Sequence, residues 1–332
     1  MDNRTQTLTS SRALEPASSA TLWTLLVLAT VLLFAGSAAS QTLQNPRRVA
    51  EGPTGQVLVT DRGSGSIVAV DKGSLQPAWS FQLPKEGAPF GLATWHRLVF
   101  VGNTETKNVE VYRMQGSLKG AVELRFEHNL GFVPAGELGT IGNPISVGID
   151  RKQGLIFVLD GHAKRVKIFD RKGKFLSEFA PVDESGELLS PVSLAVDRER
   201  HEVLVSDYGD PSGSFRARTP ARILIYDFDG NLLFQINGNR TTHITTQFAR
   251  VQGLTVSSSG RIFATDPLGS RILVLDRTTG ELLSELGTEG SEPGELMLPL
   301  DVHLDERSGD LFVSNNQGAR KLEALRGVGT QP

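Results

Sequence analysis

The chain has no cysteine among its 332 residues. It therefore has no disulfide, thiolate zinc site, covalent haem attachment, cysteine nucleophile or lipidated cysteine. Charge of one sign is also scarce, because the formal net charge is only −3. Its local basic groups, such as residues 164–167, alternate with apolar residues. Nothing in this balance predicts binding to nucleic acid, which usually requires a strongly basic surface.

Long apolar runs are scarce as well, and the one that stands out covers residues 22–36 near the N-terminus. Arg4 and Arg12 precede it, and small residues follow at 37–40. The pattern fits a cleaved secretory signal. With its flanks the run approaches about 20 residues, which equally fits an uncleaved membrane anchor. Both alternatives predict an extracytoplasmic protein (periplasmic, secreted or tethered), with residues 1–40 as its apolar leader.

Glycine is abundant, at 35 residues, and the glycines accompany an internal repeat. Six short apolar strands each end in Asp or Asn, and a second run with period-two alternation follows most of them. Alternation of this kind is typical of a half-buried strand. The terminal residues of the six strands are Asp61, Asn103, Asp160, Asp207, Asp266 and Asn315.

Two copies of the repeat are irregular. The fourth has an insertion of about ten residues in the loop 208–219, relative to the regular spacing of the other copies. The sixth is the poorest match. There Arg320 takes the place of the arginine that opens the third strand in other copies, and Lys321 stands where an apolar residue is expected.

A further strand, often introduced by Pro, precedes each pair, and a Gly-containing turn with a fourth strand follows it. A four-stranded sheet repeated six times covers its faces by packing around an axis. The sequence predicts an all-β, six-bladed β-propeller of four-stranded antiparallel blades over residues 41–327. An N-terminal apolar helix precedes it, and residues 328–332 form a tail. Because the last copy lacks a good fourth strand, residues 41–45 are expected to supply one and close the ring.

Three segments resemble the NHL-repeat family. They are residues 286–305, Arg271–Asp276 and Arg165–Asp170, which look like that family's linker with its inner strand and its third-strand motif. The resemblance covers residues 46–327, although the Asn-His pair that names the family is absent. It implies a six-bladed propeller that acts as a binding platform. A minority of similar propellers are metal-dependent lactonases or lyases.

The inner strands decide whether the axial channel holds an active site. One inward position per blade is occupied by Arg48, Gly91, Ser146, Ser193, Gly253 and Asp301. Two residues further along the same face lie Ala50, Ala93, Gly148, Ala195, Thr255 and His303.

Of these inward residues, only Arg48, Asp301 and His303 have long polar or charged side chains that could bind a ligand or take part in catalysis. We expect Arg48 to pair with Asp301, because blades 1 and 6 are neighbours in a closed ring. One carboxylate and one histidine do not make a metal site. Sequence motifs for nucleophilic, phosphate-binding and zinc-dependent catalysis are also absent. The sequence therefore assigns no catalytic, metal-binding or cofactor-binding residue.

The recurring Asp and Asn residues have a structural interpretation. A residue present once per blade serves something that every blade needs, and a side-chain oxygen that accepts the N–H groups of the following turn is sufficient. Two acidic linkers, residues 183–187 and 289–295, are weak calcium candidates, with a solvated linker as the alternative.

The loop 208–222 is longer than the fold requires and is a candidate binding loop for a partner or an anionic ligand. Aromatic and Arg residues are the types enriched at binding hot spots. The loop supplies Tyr208, Phe215, Arg216, Arg218 and Arg222. A second long connection, residues 130–143, carries Leu138 and Ile141.

The preferred functional interpretation is a non-catalytic binding or scaffold propeller of the cell envelope that recognises a protein or peptide through its face loops. It needs no cofactor and contacts the membrane only through its N-terminal segment. The alternatives are a metal-dependent propeller hydrolase or lyase, and carbohydrate or cell-wall binding. The low aromatic content, 7%, weakens the last of these.

Overall fold

A computed structural model describes residues 42–84, 87–116, 122–131, 138–183, 186–187, 190–209, 220–238, 248, 250–318 and 321–330. The predictions for residues 1–40, and for Phe215, Arg216 and Arg218, lie outside this part of the chain. Within it, no helix is both long enough and apolar enough to cross a membrane.

The described chain is a ring of six antiparallel sheets. Blades 1 to 3 contain β1 (Pro46–Glu51), β2 (Val57–Asp61), β3 (Ser66–Val70), β4 (Pro77–Gln82), β5 (Pro89–Trp95), β6 (Leu98–Asn103), β7 (Asn108–Gln115), β8 (Glu123–Leu130), β9 (Pro144–Asp150), β10 (Leu155–Asp160), β11 (Arg165–Asp170) and β12 (Phe175–Phe179). A two-stranded ribbon, β13 (Val182–Asp183) and β14 (Gly186–Glu187), follows blade 3.

Blades 4 to 6 repeat the same order of strands. They contain β15 (Pro191–Asp197), β16 (Glu202–Asp207), β17 (Arg222–Asp227), β18 (Leu232–Asn237), β19 (Leu254–Val256), β20 (Arg261–Asp266), β21 (Arg271–Asp276), β22 (Leu282–Leu286), β23 (Pro299–Asp305), β24 (Asp310–Asn315) and β25 (Leu322–Leu325). The six-bladed, all-β propeller predicted from the repeat is confirmed.

The first strand of each blade is its inner strand, and it sets two faces of the ring. We call the face on which the inner strands begin the start face, and the face on which they end the end face. Most inner strands begin with proline, as at Pro144, which pairs with Asp160 at the end of β10. A proline suits the first position of a strand because its missing N–H interrupts no ladder there. Because the second strand of each blade runs antiparallel to the first, the Asp or Asn that ends it lies on the start face in all six blades.

Six clusters of buried apolar side chains hold the blades together, and each cluster lies between two neighbouring blades. The last one joins blade 6 to blade 1. It consists of Val49, Val57, Val59, Val68, Val70, Phe312, Leu322 and Ala324. Burial of apolar area on both faces of every sheet explains why the quartet of strands recurs.

The prediction that residues 41–45 close the ring as a strand is wrong. Blade 6 has three strands among the described residues, and residues 42–45 are not in a strand. Instead, the backbone N–H groups of Gln44 and Asn45 donate to the Asp61 carboxylate at 2.9 and 2.6 Å. These two hydrogen bonds hold residues 44 and 45 as a linker at the start face. The ring closes by side-chain packing, to which Leu43 contributes.

The alignment of blade 6 also needs a shift of one residue. Leu322 pairs with Ser314, and the Asn315 N–H donates to the carbonyl of Lys321 at 2.9 Å. Lys321, rather than Arg320, therefore takes the place that Arg271 has opposite Asp266 in blade 5. The turn of blade 6 is longer, and the expected apolar position is filled by Leu322.

Part of the predicted C-terminal tail is attached to the propeller. Residues Val328–Thr330 form a single 3-10 turn, and the Gly329 N–H donates to the Gly309 carbonyl at 2.8 Å. Val328 packs against the cluster between blades 5 and 6.

Candidate functional site

Four of the six repeated side chains, Asp61, Asn103, Asp160 and Asp207, each connect two backbone segments. Asp160 shows the full pattern, because its carboxylate accepts N–H groups from Gly142 and Asn143 before the inner strand, at 2.8 and 3.0 Å. It also accepts those of His162 and Ala163 in the following turn, at 3.1 and 3.2 Å. The turn was foreseen from the sequence, whereas the bond to the incoming linker was not. A buried carboxylate whose oxygens accept several backbone N–H groups has a structural role.

Arg222 lies in this architecture too, and not in an accessible binding loop. Its Nε and Nη2 atoms donate to the Asp207 carboxylate at 3.0 and 2.9 Å, and the two side chains are 2% and 0% exposed. Strand β17 begins at Arg222, directly opposite Asp207 in the ladder. The predicted binding loop thus loses its last member to the core of blade 4.

The axis of the ring holds a cavity of about 470 Å³ that all six inner strands line. Its walls are mainly small side chains, as the sequence suggested for a narrow channel. The six positions two residues beyond the floor are Ala50, Ala93, Gly148, Ala195, Thr255 and His303. The cavity ends in a floor near the middle of the axis and has its mouth at the end face.

Arg48 and Asp301 form the floor, which we call the axial clamp. The Arg48 Nη1 atom lies 3.0 Å from Asp301 Oδ1, and the other carboxylate oxygen accepts the Val49 N–H at 2.9 Å. Arg48 Nε and Nη2 both donate to the Ile145 carbonyl at 3.1 Å, and Nη2 also donates to the carbonyl of Val192. One guanidinium therefore connects blades 1, 3, 4 and 6.

The two remaining blades also meet the clamp. The Phe90 ring of blade 2 lies under the Arg48 guanidinium, with its centroid 5.6 Å away. In blade 5, Gly253 approaches Asp301 so closely that a Cβ atom at Gly253 would lie 2.4 Å from the Asp301 Cα. Only glycine fits such an approach. All six blades thus converge on one buried ion pair, which is a structural role.

His303 lies between the clamp and the mouth. Its Nε2 atom is buried and has no hydrogen-bond partner among the described residues. Burial lowers the pKa of His303 to about 4, and Glu51 opposes that shift. The imidazole is therefore neutral at physiological pH.

The mouth is polarised between two sides. On one side, Arg151 and Arg198 follow β9 and β15. Arg151 Nη2 donates to the Thr94 carbonyl and Arg198 Nε to the Ile149 carbonyl, both at 3.2 Å. Neither guanidinium forms an ion pair with any carboxylate in the described part of the chain. Burial lowers the pKa of Arg198, and the neighbouring Arg151 lowers it further.

The opposite side of the mouth carries carboxylates beside the cations Lys72 and Arg307. Lys72 bridges Glu51 and Asp305, at 3.3 and 2.7 Å. Glu306 accepts the backbone N–H of Ser258 at 2.6 Å. The mouth therefore offers unpaired cations on blades 3 and 4, and carboxylates on blades 1 and 6.

The sequence did not single out Arg151 or Arg198. A signal was present, because each arginine directly follows the Asp that ends its inner strand, in two consecutive copies of the repeat. Metal-ligating side chains do not gather in the same way. In the described ranges, no group of three or more His, Asp or Glu residues is arranged to hold a metal ion.

Of the other predicted loop residues, Tyr208 lies on the start face and is half-buried. Its hydroxyl donates to Gln252 Oε1, and the Arg250 guanidinium lies over its ring at 5.1 Å. In the loop 130–143, Ile141 is buried between blades 2 and 3, whereas Leu138 is 77% exposed.

No model of a known protein family matches the chain, and no curated protein matches its sequence. Solved structures match its fold. A structural genomics protein of unknown function from Bacteroides thetaiotaomicron is 17% identical, with a TM-score of 0.60 over 87% of this chain and 72% of that one. Virginiamycin B lyase from Staphylococcus aureus is 13% identical, with a TM-score of 0.53 over 86% and 82%. A nidogen/laminin complex includes a chain that is 17% identical, with a TM-score of 0.54 over 81% and 88%.

Proposed function

We propose that this chain is a binding propeller whose end-face cavity receives a carboxylate-bearing group of a protein or peptide. The observation that carries the proposal is the pair of guanidiniums at the mouth. Arg151 and Arg198 stand on neighbouring blades, donate only to backbone carbonyls and form no ion pair with a carboxylate of the described residues, although Asp150, Glu306 and Glu51 lie near Arg198.

The chemistry of the mouth matches a carboxylate. A guanidinium has five N–H donors in a planar fork, and each of these two uses one donor on the protein. The remaining donors suit the two oxygens of a carboxylate, which binds guanidinium groups in a bidentate manner. Glu51 and Glu306 on the opposite side of the mouth would accept N–H groups from the same ligand. The cavity volume lies within the range of ordinary ligand pockets.

The wider setting belongs to the same proposal. The repeat motifs support an NHL-type propeller, and the apolar run at residues 22–36 supports export to the cell envelope. One structure of similar fold is described as a complex of nidogen with laminin. A fold of this kind therefore occurs in a complex between proteins, which favours a protein or peptide as the partner.

A peptide selection tests the proposal. The full chain is used to select peptides from a random library displayed with free C-terminal carboxylates. We expect the selected peptides to lose at least about tenfold in affinity toward the R151Q/R198Q variant. The R171Q/K172Q variant is the matched control, since it loses two exposed cations outside the cavity. Peptides that bind R151Q/R198Q as tightly as the unaltered chain would contradict the proposal.

Catalysis is the second candidate, and one observation favours it. His303 lines the cavity, its Nε2 atom has no hydrogen-bond partner among the described residues, and a neutral imidazole can act as a general base. The lyase of similar fold makes an elimination the reaction to test, and the lactonase alternative adds the hydrolysis of lactones. Virginiamycin B and simple lactones are incubated with the full chain, with and without divalent cations. Turnover that the His303→Gln variant loses would establish this function in place of simple binding.

A further inference from the structure

The start face carries a second group of cations, on the opposite side of the axial clamp from the cavity. Its members lie around the axis and come from blades 1, 2, 4 and 5. We call it the arginine cluster, and it consists of Arg47, Arg62, Phe90, Tyr208, Arg250 and Gln252.

Two arginines of the cluster lie over its aromatic rings. The Arg47 guanidinium lies 5.5 Å from the centroid of Phe90, and that of Arg250 lies 5.1 Å from the centroid of Tyr208. A cation–π contact of this kind uses none of the hydrogen-bonding capacity of the guanidinium N–H groups. Gln252 Oε1 accepts a hydrogen bond from the Tyr208 hydroxyl and thereby fixes the orientation of the ring.

No carboxylate in the part of the chain that the structure describes neutralises these cations. Among the residues that the structure describes, none forms an ion pair with Arg47, Arg62 or Arg250. The nearby Asp61 and Asp207 are engaged by backbone N–H groups and, for Asp207, by an arginine of blade 4. The described residues therefore leave the positive charge of the cluster uncompensated.

Arg47 is the member of the cluster whose environment points most directly to an anion ligand. Among the described residues no acceptor contacts its buried Nε atom, and a buried charged donor without a partner is costly. Burial lowers the pKa of Arg47, and the proximity of Arg62 and Arg48 lowers it further. An anion bound over the cluster would relieve this mutual repulsion.

We propose that the arginine cluster is a binding site for an oxyanion, either a carboxylate or a phosphate group. The two sources share the chemistry that a planar N–H fork recognises. The site is separate from the end-face cavity, because the buried axial clamp lies between them. It does not depend on the function proposed for that cavity.

The arginine Nε–Hε resonances of the ¹⁵N-labelled full chain provide a site-specific test. Inorganic phosphate and acetate are titrated separately at constant ionic strength, so that general screening does not differ between points. We expect one or both anions to shift the Arg47 and Arg250 resonances in a saturable manner. A response to phosphate alone assigns a phosphate ligand, and a response to acetate assigns a carboxylate.

Variants separate this site from the cavity. In R62Q/R250Q, the apparent dissociation constant read from Arg47 should rise at least about tenfold, and R250K should lie between this variant and the unaltered chain. R171Q/K172Q loses two exposed cations that belong to neither site, and its dissociation constant read from Arg47 should equal that of the unaltered chain. The proposal is overturned if neither anion shifts Arg47 up to tens of millimolar, or if R62Q/R250Q retains full affinity, whether or not R151Q/R198Q loses it.

Discussion

The floor and the mouth of the axial cavity use the same functional group in opposite ways. At the floor, Arg48 is buried and donates to one carboxylate and two carbonyls from three other blades. At the mouth, Arg151 and Arg198 each donate to one carbonyl and retain their other donors. A guanidinium whose donors are used by the protein holds the ring together, whereas one with donors left over is available to a ligand. The comparison predicts that substitutions at the two levels separate stability from binding.

The largest effect is expected at the floor. Arg48→Met leaves the Asp301 carboxylate buried without its cation, and this should lower the free energy of unfolding by about 3–5 kcal/mol. Urea unfolding followed by circular dichroism measures the change. The double variant R48M/D301L removes both charges and should recover part of the loss. An unchanged unfolding midpoint for Arg48→Met would show that the clamp does not hold the blades.

A smaller effect is expected at Asp160 on the start face. Its carboxylate oxygens accept four hydrogen bonds from the protein, just as the Arg48 guanidinium at the floor donates several. Asp160→Ala removes the acceptor of four backbone N–H groups and should cost about 3 kcal/mol. Asp160→Asn should cost about 1 kcal/mol, because Asn103 and Asn315 serve the same purpose in their blades. If urea unfolding shows that both variants lose the same free energy of unfolding, then the charge of Asp160, and not its hydrogen bonds, stabilises this part of the blade.

The free energy of unfolding should depend on pH through His303, which lies between the floor and the mouth of the cavity. Because burial holds the pKa of His303 near 4 in the folded chain, only the unfolded chain takes up a proton as the pH falls below 6.5. The free energy of unfolding should therefore decrease between pH 6.5 and about pH 4, by up to about 3 kcal/mol from this residue. His303→Gln should remove that component, whereas His201→Gln in an exposed turn should not. Parallel stability profiles for His303→Gln and the unaltered chain would contradict a buried neutral imidazole.

The smallest effect on stability is expected at the mouth. Arg151 and Arg198 donate one hydrogen bond each and form no ion pair among the described residues, so R151Q/R198Q should change the free energy of unfolding by no more than about 0.5 kcal/mol. Differential scanning calorimetry of this variant beside R171Q/K172Q measures the difference. A loss comparable to that of Arg48→Met would place these arginines with the structural residues and remove the contrast between the two levels.

Much of the fold could be predicted from the sequence because each blade repeats the same physical need. The terminal Asp or Asn, the alternating strand and the proline of the inner strand recur for that reason. The pairing of Arg48 with Asp301 follows from their inward positions on adjacent blades. The other contacts of Arg48 are with backbone carbonyls, which leave no trace in residue identity.

The errors have physical reasons as well. Residues 42–45 do not close the ring because their N–H groups bind Asp61 instead of a neighbouring strand. Arg222 resembled a loop residue because it directly follows the insertion, yet its register opposite Asp207 places it in the core. Arg151 and Arg198 went unnoticed because a charged residue in a turn ordinarily faces solvent. Only the ring brings the two turns to one mouth.

Affinity at the mouth tests the account most directly. Isothermal titration calorimetry compares one selected peptide, with a free C-terminal carboxylate or with an amide in its place, on the unaltered chain and on R151Q/R198Q. We expect amidation and the double substitution each to weaken binding at least about tenfold. Together they should weaken it little more than either alone, because both remove one interaction. Losses that multiply independently, or no loss from amidation, would contradict a carboxylate bound by these two arginines.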